Sequence, residues 1–295
     1  MIEKITYKDV TIVIVIFNVT DVIFECLKNL KDFSIIIVDN GKCDQKLVKK
    51  LKDYKNIKKY FIPKKNLGFA RANNFAFKYV NTPYTLLINA DIIIKNEDIL
   101  NLIKIIKQYP DTGIAVPTLI DKNFKNIDKL ELIPELGKGI VRSNFENNIS
   151  YRLHQTLLSG DTCINFCWGA IMLLNNKIFK EIGLFDKKYF LYWEDYDLCR
   201  KLYKYKIPLI KTTSSNAYHL ISSSVKKNII NYFNIQMFHI LSGYKYGNLD
   251  KKSKYLYKKA LIYLFRTFSY LAIFNIKKST KNLARLCATI KYKFN

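Results

Sequence analysis

Apolar residues along this chain fall into short unbroken runs separated by stretches of helical spacing. Residues 11–17 read T-I-V-I-V-I-F. A run with no polar interruption predicts a strand covered on both faces, as in a parallel sheet. Asn18 closes it, and Thr20 or Asp21 can cap a helix to about residue 30. The same alternation then repeats. S-I-I-I-V at 34–38 is a second strand ending in Asp39-Asn40-Gly41, and a helix over 44–53 leads to a third strand at 57–61. A loop over 62–68 and a helix to about residue 80 lead to a fourth strand at 84–89, and a later strand is expected at 208–213 after a turn at Lys206. Four strand–helix repeats predict an α/β fold, an open, mainly parallel sheet flanked by helices, with right-handed crossovers.

In such sheets ligands bind beyond the carboxyl ends of the strands. Asn18, Asp39, and Asn89 with Asp91 stand at those ends. Neither G-x-G-x-x-G nor G-x-x-x-x-G-K-[ST] occurs, so the dinucleotide and P-loop phosphate cradles are excluded. The loop N-L-G-F-A-R-A-N-N at 66–74 opens a helix, where Arg71 can clamp a diphosphate with its planar fork and the helix N-terminus adds backbone donors. Gly68 as a plain turn residue and Arg71 as a solvated helix residue is the plainer reading. The richest chemistry lies in 168–200, which begins W-G-A and ends with Asp186, Glu194, Asp195 and Asp197 set among aromatics. Apolar surroundings raise a carboxyl pKa and prepare a general base. Acids in a first helical turn also complement the helix dipole, and on these residues alone both readings stand.

Composition narrows the partners. The chain has 295 residues, 49% of them hydrophobic, which excludes disorder as its main state. Its net charge is +25, and the last 71 residues hold fifteen Lys or Arg against one acid, Asp250. A basic surface suits nucleic acid, anionic lipid or phosphorylated substrates. Acids at the strand ends would repel a phosphate backbone and no groove-reading motif appears, so nucleic acid is not an expected partner. Six cysteines form no C-x-x-C pair and are read as reduced thiols of a cytoplasmic protein. The first apolar run is too short for a membrane span and lacks a leader's cleavage site.

Five blocks now stand in order: V-T-I-V-I-V-I-F-N at 10–18, I-I-I-V-D-N-G at 35–41, N-L-G-F-A-R-A-N-N at 66–74, L-L-I-N-A-D at 86–91, and W-G-A through E-D-Y-D-L-C-R at 168–200. Over about 11–224 the chain resembles the family 2 glycosyltransferases, and within them the rhamnosyltransferase-like branch of bacterial surface-polysaccharide enzymes. The resemblance implies a GT-A fold and an inverting transfer of a hexosyl group, rhamnose favoured, from a dTDP-, UDP- or GDP-sugar to a glycan or lipid-linked acceptor. A galactofuranosyl, glucosyl or other hexosyl transferase, or a non-catalytic member acting as a scaffold, is the alternative within the family; a nucleotidyltransferase or a nucleic-acid-binding basic protein is the alternative outside it. The resemblance places Asp39 at the base or ribose of the nucleotide, and Asn18, Asn66, Gly68, Arg71, Asn74 and Asn89 around the donor nucleotide and diphosphate. It gives a divalent cation, Mn²⁺ or Mg²⁺, to Asp91 and His219, although family members often carry an acid where Asn89 offers only a neutral oxygen. Asp195 is implied as general base, with Glu194 as the alternate. Tyr192 and Trp193 are candidates to stack on a sugar ring, and Trp168, Gly169 and Ala170 to bring backbone close to donor or acceptor. Asp186 is expected to brace its loop, Asp197 and Arg200 to pair on the helix face, and His154 and His239 to be structural. The segment 123–161 is expected to vary and to face the acceptor.

Two parts are therefore expected: a catalytic domain over 1–224 and a basic helical extension over 225–295. The longest apolar run of that extension, 260–274, contains Arg266 and falls short of the ~20 residues of a span. Two readings fit it: amphipathic helices lying on the anionic inner face of the plasma membrane, or helices packed on the catalytic domain or on a second subunit of a homo-oligomer.

Overall fold

Side-chain alternation along each central strand decides the layering. The computed structural model describes residues 6–121, 126–127, 160–220 and 228–294. In strand β1 (Val10–Ile16), Val10, Ile12, Ile14 and Ile16 enter one apolar layer while Val13 enters the other. β2 (Ser34–Asp39) splits the same way, Ile35 and Ile37 against Ile36 and Val38. Successive side chains of a strand point to opposite faces, so an unbroken apolar run serves a sheet with a core on each side.

Helix α1 (Val22–Leu27) and then α2 (Gln45–Lys52) follow these strands, and β3 (Ile57–Phe61) leads to α3 (Gly68–Phe77). β4 (Tyr84–Ile88), β5 (Ile92–Ile94), α4 (Asn96–Gln108) and β6 (Ile114–Ile120) come next, and β7 (Asp161–Cys163), β8 (Ile171–Asn175) and α5 (Asn176–Glu181) precede α6 (Glu194–Lys204) and β9 (Leu209–His219). Among the described residues the strands run β3-β2-β1-β4-β8-β6-β9-β5, with β7 on β9. β3, β2, β1 and β4 are parallel neighbours, whereas β8 enters antiparallel to both β4 and β6. The sequence repeats thus account for the parallel half, and the remainder of the sheet is mixed. β9 continues six residues past the expected end at 213, through polar Thr213–Asn216 to His219. Its pairing with β6 and with β5 supplies the partners that an apolar pattern cannot announce.

By contacts the described residues form two compact units. One holds the sheet and its flanking helices; the other joins Lys188–Trp193 to three C-terminal helices, α7 (Ile229–Tyr246), α8 (Lys254–Ala272) and α9 (Ile276–Phe294). The second unit has its own core of Leu241, Tyr244, Leu256, Ala288 and Tyr292. The Tyr244 hydroxyl meets Thr289 Oγ1 at 3.1 Å, and the Tyr292 hydroxyl donates to the Leu249 carbonyl at 2.7 Å. All six cysteines are free thiols. His154 and nearly all of 123–161 lie outside the described residues.

Candidate active site

The loops that follow β1, β2 and β3 converge. Asn18, after β1, adopts φ 49° and is exposed. A Cβ on Gly41 would stand 2.3 Å from the Asn18 backbone nitrogen, so only glycine lets these two loops close on each other. Asp39, at the end of β2, is fully buried. Its Oδ1 accepts from the Gly41 N–H at 3.0 Å, and its Oδ2 from the Cys43 N–H at 2.8 Å and the Tyr60 hydroxyl at 2.9 Å. Burial and then the Asp39 carboxylate push the Tyr60 pKa up, and the same two causes push the Cys43 thiol up to about 11. Both groups stay protonated, as a donor beside a carboxylate must.

Asn40, which the sequence reading passed over, joins the second loop to the third. Its Nδ2 donates to the Gly68 carbonyl at 3.0 Å and its Oδ1 accepts from the Leu67 N–H at 3.2 Å. Asn66 Oδ1 accepts from the Gly68 N–H at 2.8 Å, with Gly68 itself at φ 76°. The available signal was a side-chain amide following a buried acid at the end of an apolar strand. Asn74 and Arg71 are committed to the loop before α6. The Asn74 amide is buried and engages both the carbonyl and the N–H of Phe185, at 2.8 and 3.2 Å, and Arg71 Nε donates to the Lys187 carbonyl at 2.8 Å. Arg71 remains exposed.

A second line of contacts crosses the sheet from β4 to α6. The Asn89 N–H donates to the Ala170 carbonyl at 2.9 Å, setting Asn89-Ala90-Asp91 beside Trp168-Gly169-Ala170. The Gly169 N–H then donates to Asp195 Oδ2 at 3.2 Å, and the Tyr196 N–H to Asp195 Oδ1 at 2.9 Å. A Cβ on Gly169 would sit 3.5 Å from the Phe69 ring, an ordinary contact, so the amide rather than the missing side chain is what this position contributes. Trp168 is half-buried and packs against both apolar layers, and Ala170 is buried.

Asp91 is buried, and its Oδ1 lies 3.6 Å from His219 Nε2. β5 and β9 bring them together: Ile92 pairs with His219, and the Leu220 N–H donates to the Asp91 carbonyl at 2.9 Å. His219 Nδ1 is buried with no hydrogen-bond partner among the described residues. Two ligands at ~2.1 Å and right angles on one octahedral cation stand about 3 Å apart, so an acid and an imidazole at this separation fit as part of a donor set. No third His, Cys, Asp or Glu joins them among the described residues. Cys26 does not serve: burial first, then the Asp91 charge, holds its thiol up at about 12.

The acids of α6 divide sharply. Glu194 is 6% exposed, its Oε2 has no hydrogen-bond partner among the described residues, and burial followed by the Asp195 charge raises its pKa well above the ordinary carboxyl value. Asp195 is half-buried. Asp197 pairs with Arg200 and, at 3.7 Å, with Lys201 on the same helix. Immediately before Glu194, Tyr192 and Trp193 hold φ of 67° and 69°, a left-handed conformation that costs a bulky residue about 1 kcal/mol or more. The helical unit holds that turn. Trp193 Nε1 donates to the His239 carbonyl at 3.0 Å, and Ser242 Oγ to the Leu191 carbonyl at 2.8 Å. Trp193 is 4% exposed and packs on Tyr246, whereas Tyr192 keeps partial exposure. His239 is structural through its backbone, and Ser242 and Gly243 were missed because neither lies near a motif.

The mixed sheet with its flanking helices has the architecture of a GT-A glycosyltransferase. Residues 11–183 match the family profile of glycosyl transferase family 2, and the chain belongs to that family. Rhamnosyltransferase WbbL of Escherichia coli (strain K12) is 30% identical over 207 residues, 65% of this chain and 76% of that one. The solved structure of mannosyltransferase PcManGT from Pyrobaculum calidifontis in complex with GDP-Man and Mn²⁺ superposes with a TM-score of 0.57 at 12% identity, covering 97% of this chain and 87% of that one. The structure of GalNAc-T7 with UDP, GalNAc and Mn²⁺ gives a TM-score of 0.56 at 12% identity over 72% of this chain, which spans 44% of that enzyme. At such identities these two likenesses speak for the fold.

Proposed function

We propose that the chain transfers a hexosyl group, rhamnose favoured, with inversion from a nucleoside diphosphate sugar to a hydroxyl of a glycan or lipid-linked acceptor. The observation that carries this reading is the pair of backbone bonds, Asn89 to Ala170 and Gly169 to Asp195, that ties the strand end bearing Asp91 to the half-buried acid of α6. In the proposed step Asp195 takes the proton of the acceptor hydroxyl. That oxygen forms a bond to the anomeric carbon, and the carbon–oxygen bond to the diphosphate breaks, its electron pair leaving with the nucleotide. Glu194, whose ionised form is disfavoured by burial and then by the Asp195 charge, is the poorer candidate for base.

Asp91 and His219 would hold Mn²⁺ or Mg²⁺, which when bound neutralises charge growing on the diphosphate. The loops at Asn18, Asn40–Gly41 and Asn66–Gly68 form the proposed nucleotide cleft. Asp39 shapes that cleft by ordering residues 40–43, and Asn74 braces it through Phe185. Exposed Arg71 is left to meet the diphosphate with its terminal nitrogens.

Thermal unfolding with UDP, dTDP or GDP, each with and without Mn²⁺, tests the donor half. A nucleotide at 100 times its Kd adds about 2.7 kcal/mol, or roughly 5–10 °C for a domain of this size. One of the three is expected to give this shift in Mn²⁺ and to lose it in Asp91→Ala. No shift with any of them, or an equal shift in the variant, contradicts the assignment.

A further inference from the structure

The three C-terminal helices pack on one another, yet α8 is apolar on two sides. Leu256, Tyr263 and Thr267 form its inner face; the Ser279 hydroxyl of α9 donates to the Thr267 carbonyl at 3.0 Å. Its outer face carries Leu261, Leu264, Phe265, Phe268 and Leu271, spaced by three or four residues along one side of the helix and all exposed. Phe265 is 74% exposed, and Phe274, in the turn that ends the helix at φ 54°, is 88% exposed. A helix in water ordinarily turns a polar face outward, and a contiguous patch of leucine and phenylalanine marks an interaction surface.

Charge selects the partner. Lys258, Arg266, Lys277 and Lys278 are all exposed on α8 and at the start of α9, and Asp250 is the only acid in the last 71 residues. Like-charge crowding is already felt: burial first, then Arg266 and Arg285, lowers the Lys259 pKa. A second copy of this chain would set one cationic rim against another. Nucleic acid would meet the cations and leave the aromatic face in water. An anionic bilayer surface supplies both phases, acyl chains for the apolar stripe and phosphate headgroups for the rim. No helix among the described residues is long and apolar enough to cross a membrane.

We propose that α8 docks on an anionic phospholipid surface, its Leu261–Phe268–Leu271 stripe and Phe274 at the headgroup–acyl boundary and the flanking Lys and Arg among the headgroups. Packing within the helical unit and membrane contact then fall to opposite faces of one helix. This surface stands independently of the transfer reading, because its test reads binding alone.

The test is co-sedimentation of the full chain with vesicles of phosphatidylcholine alone and with about one third phosphatidylglycerol. Wild type is expected to partition onto the anionic vesicles and to be released by salt. Partitioning is expected to fall at least about ten-fold in Phe265→Asp/Phe268→Asp and, as a second variant with the apolar face intact, in Lys277→Ala/Lys278→Ala. Far-UV circular dichroism checks that both variants keep their helices. Equal binding to neutral and anionic vesicles, or unchanged binding by both variants, overturns the proposal. A wild-type dimer in size-exclusion chromatography that the phenylalanine variant converts to monomer overturns it too, since a second copy would then cover the face.

Discussion

Glu194 and Asp195 are adjacent acids in different surroundings, one buried and the other half-buried. The Glu194 carboxyl is shut away from water beside a charge of its own sign, so it stays protonated where the unfolded chain has released its proton. Above the ordinary carboxyl value of 4.5 the unfolded state therefore binds fewer protons than the folded state, and stability falls as pH rises toward the raised folded pKa. The slope reaches at most about 1.4 kcal/mol per pH unit for one group. Glu194→Gln keeps the shape and removes the proton, so the variant should lose this decline. Urea midpoints from pH 5 to 8 check it: the difference between variant and wild type is expected to grow with pH, and parallel profiles would contradict the buried, neutral state. Asp195 keeps partial access to solvent, and its two carboxylate oxygens accept from the Gly169 and Tyr196 N–H groups.

At the scale of elements, α7 is defined by what it holds. Its Gly243 lies where a Cβ would come within 3.2 Å of the Trp193 indole, itself fixed by the bond to the His239 carbonyl. Gly243→Val should cost about 1–3 kcal/mol by overpacking this seat, although valine is the better helix former. Chemical denaturation measures it, and a variant as stable as wild type would mean that the ring does not occupy that place. Seats of this kind are poorly legible in sequence. The greasy strands announced themselves, because β1 and β2 are buried on both faces and need no partner-specific cue. β9 outruns its apolar run because Thr213–Asn216 interrupt it: the β6 ladder shifts register across this stretch, from Lys211 to Asn216, and β6 and β5 pair again with Ala217 and Tyr218. Asn74 and Trp193 were recognisable as special residue types at special places. That Asn74 clamps Phe185 and Trp193 faces α7 depends on chain segments brought together only by folding. Asn40 was hidden because its partner loop lies 28 residues away.

At the scale of the whole molecule, the family and its ordered motifs were readable because they stand at strand ends and helix starts, where the fold leaves functional groups. The Asp91–His219 pair was likewise anticipated through the resemblance, and the register of β5 on β9 explains it physically. The basic C-terminus was legible as a charge, while the division of α8 into a packed and an outward face required the three-helix arrangement. The central claim, that Asp195 is the base of a nucleotide-sugar transfer, is tested most directly by Asp195→Asn, which keeps an oxygen to accept the Gly169 N–H. Donor binding by calorimetry and sugar transfer should be measured on the same preparation. The expected result is an unchanged donor Kd with turnover lower by roughly 10²–10⁴-fold, the contribution of a general base. Near-normal turnover with the same donor affinity would contradict the account.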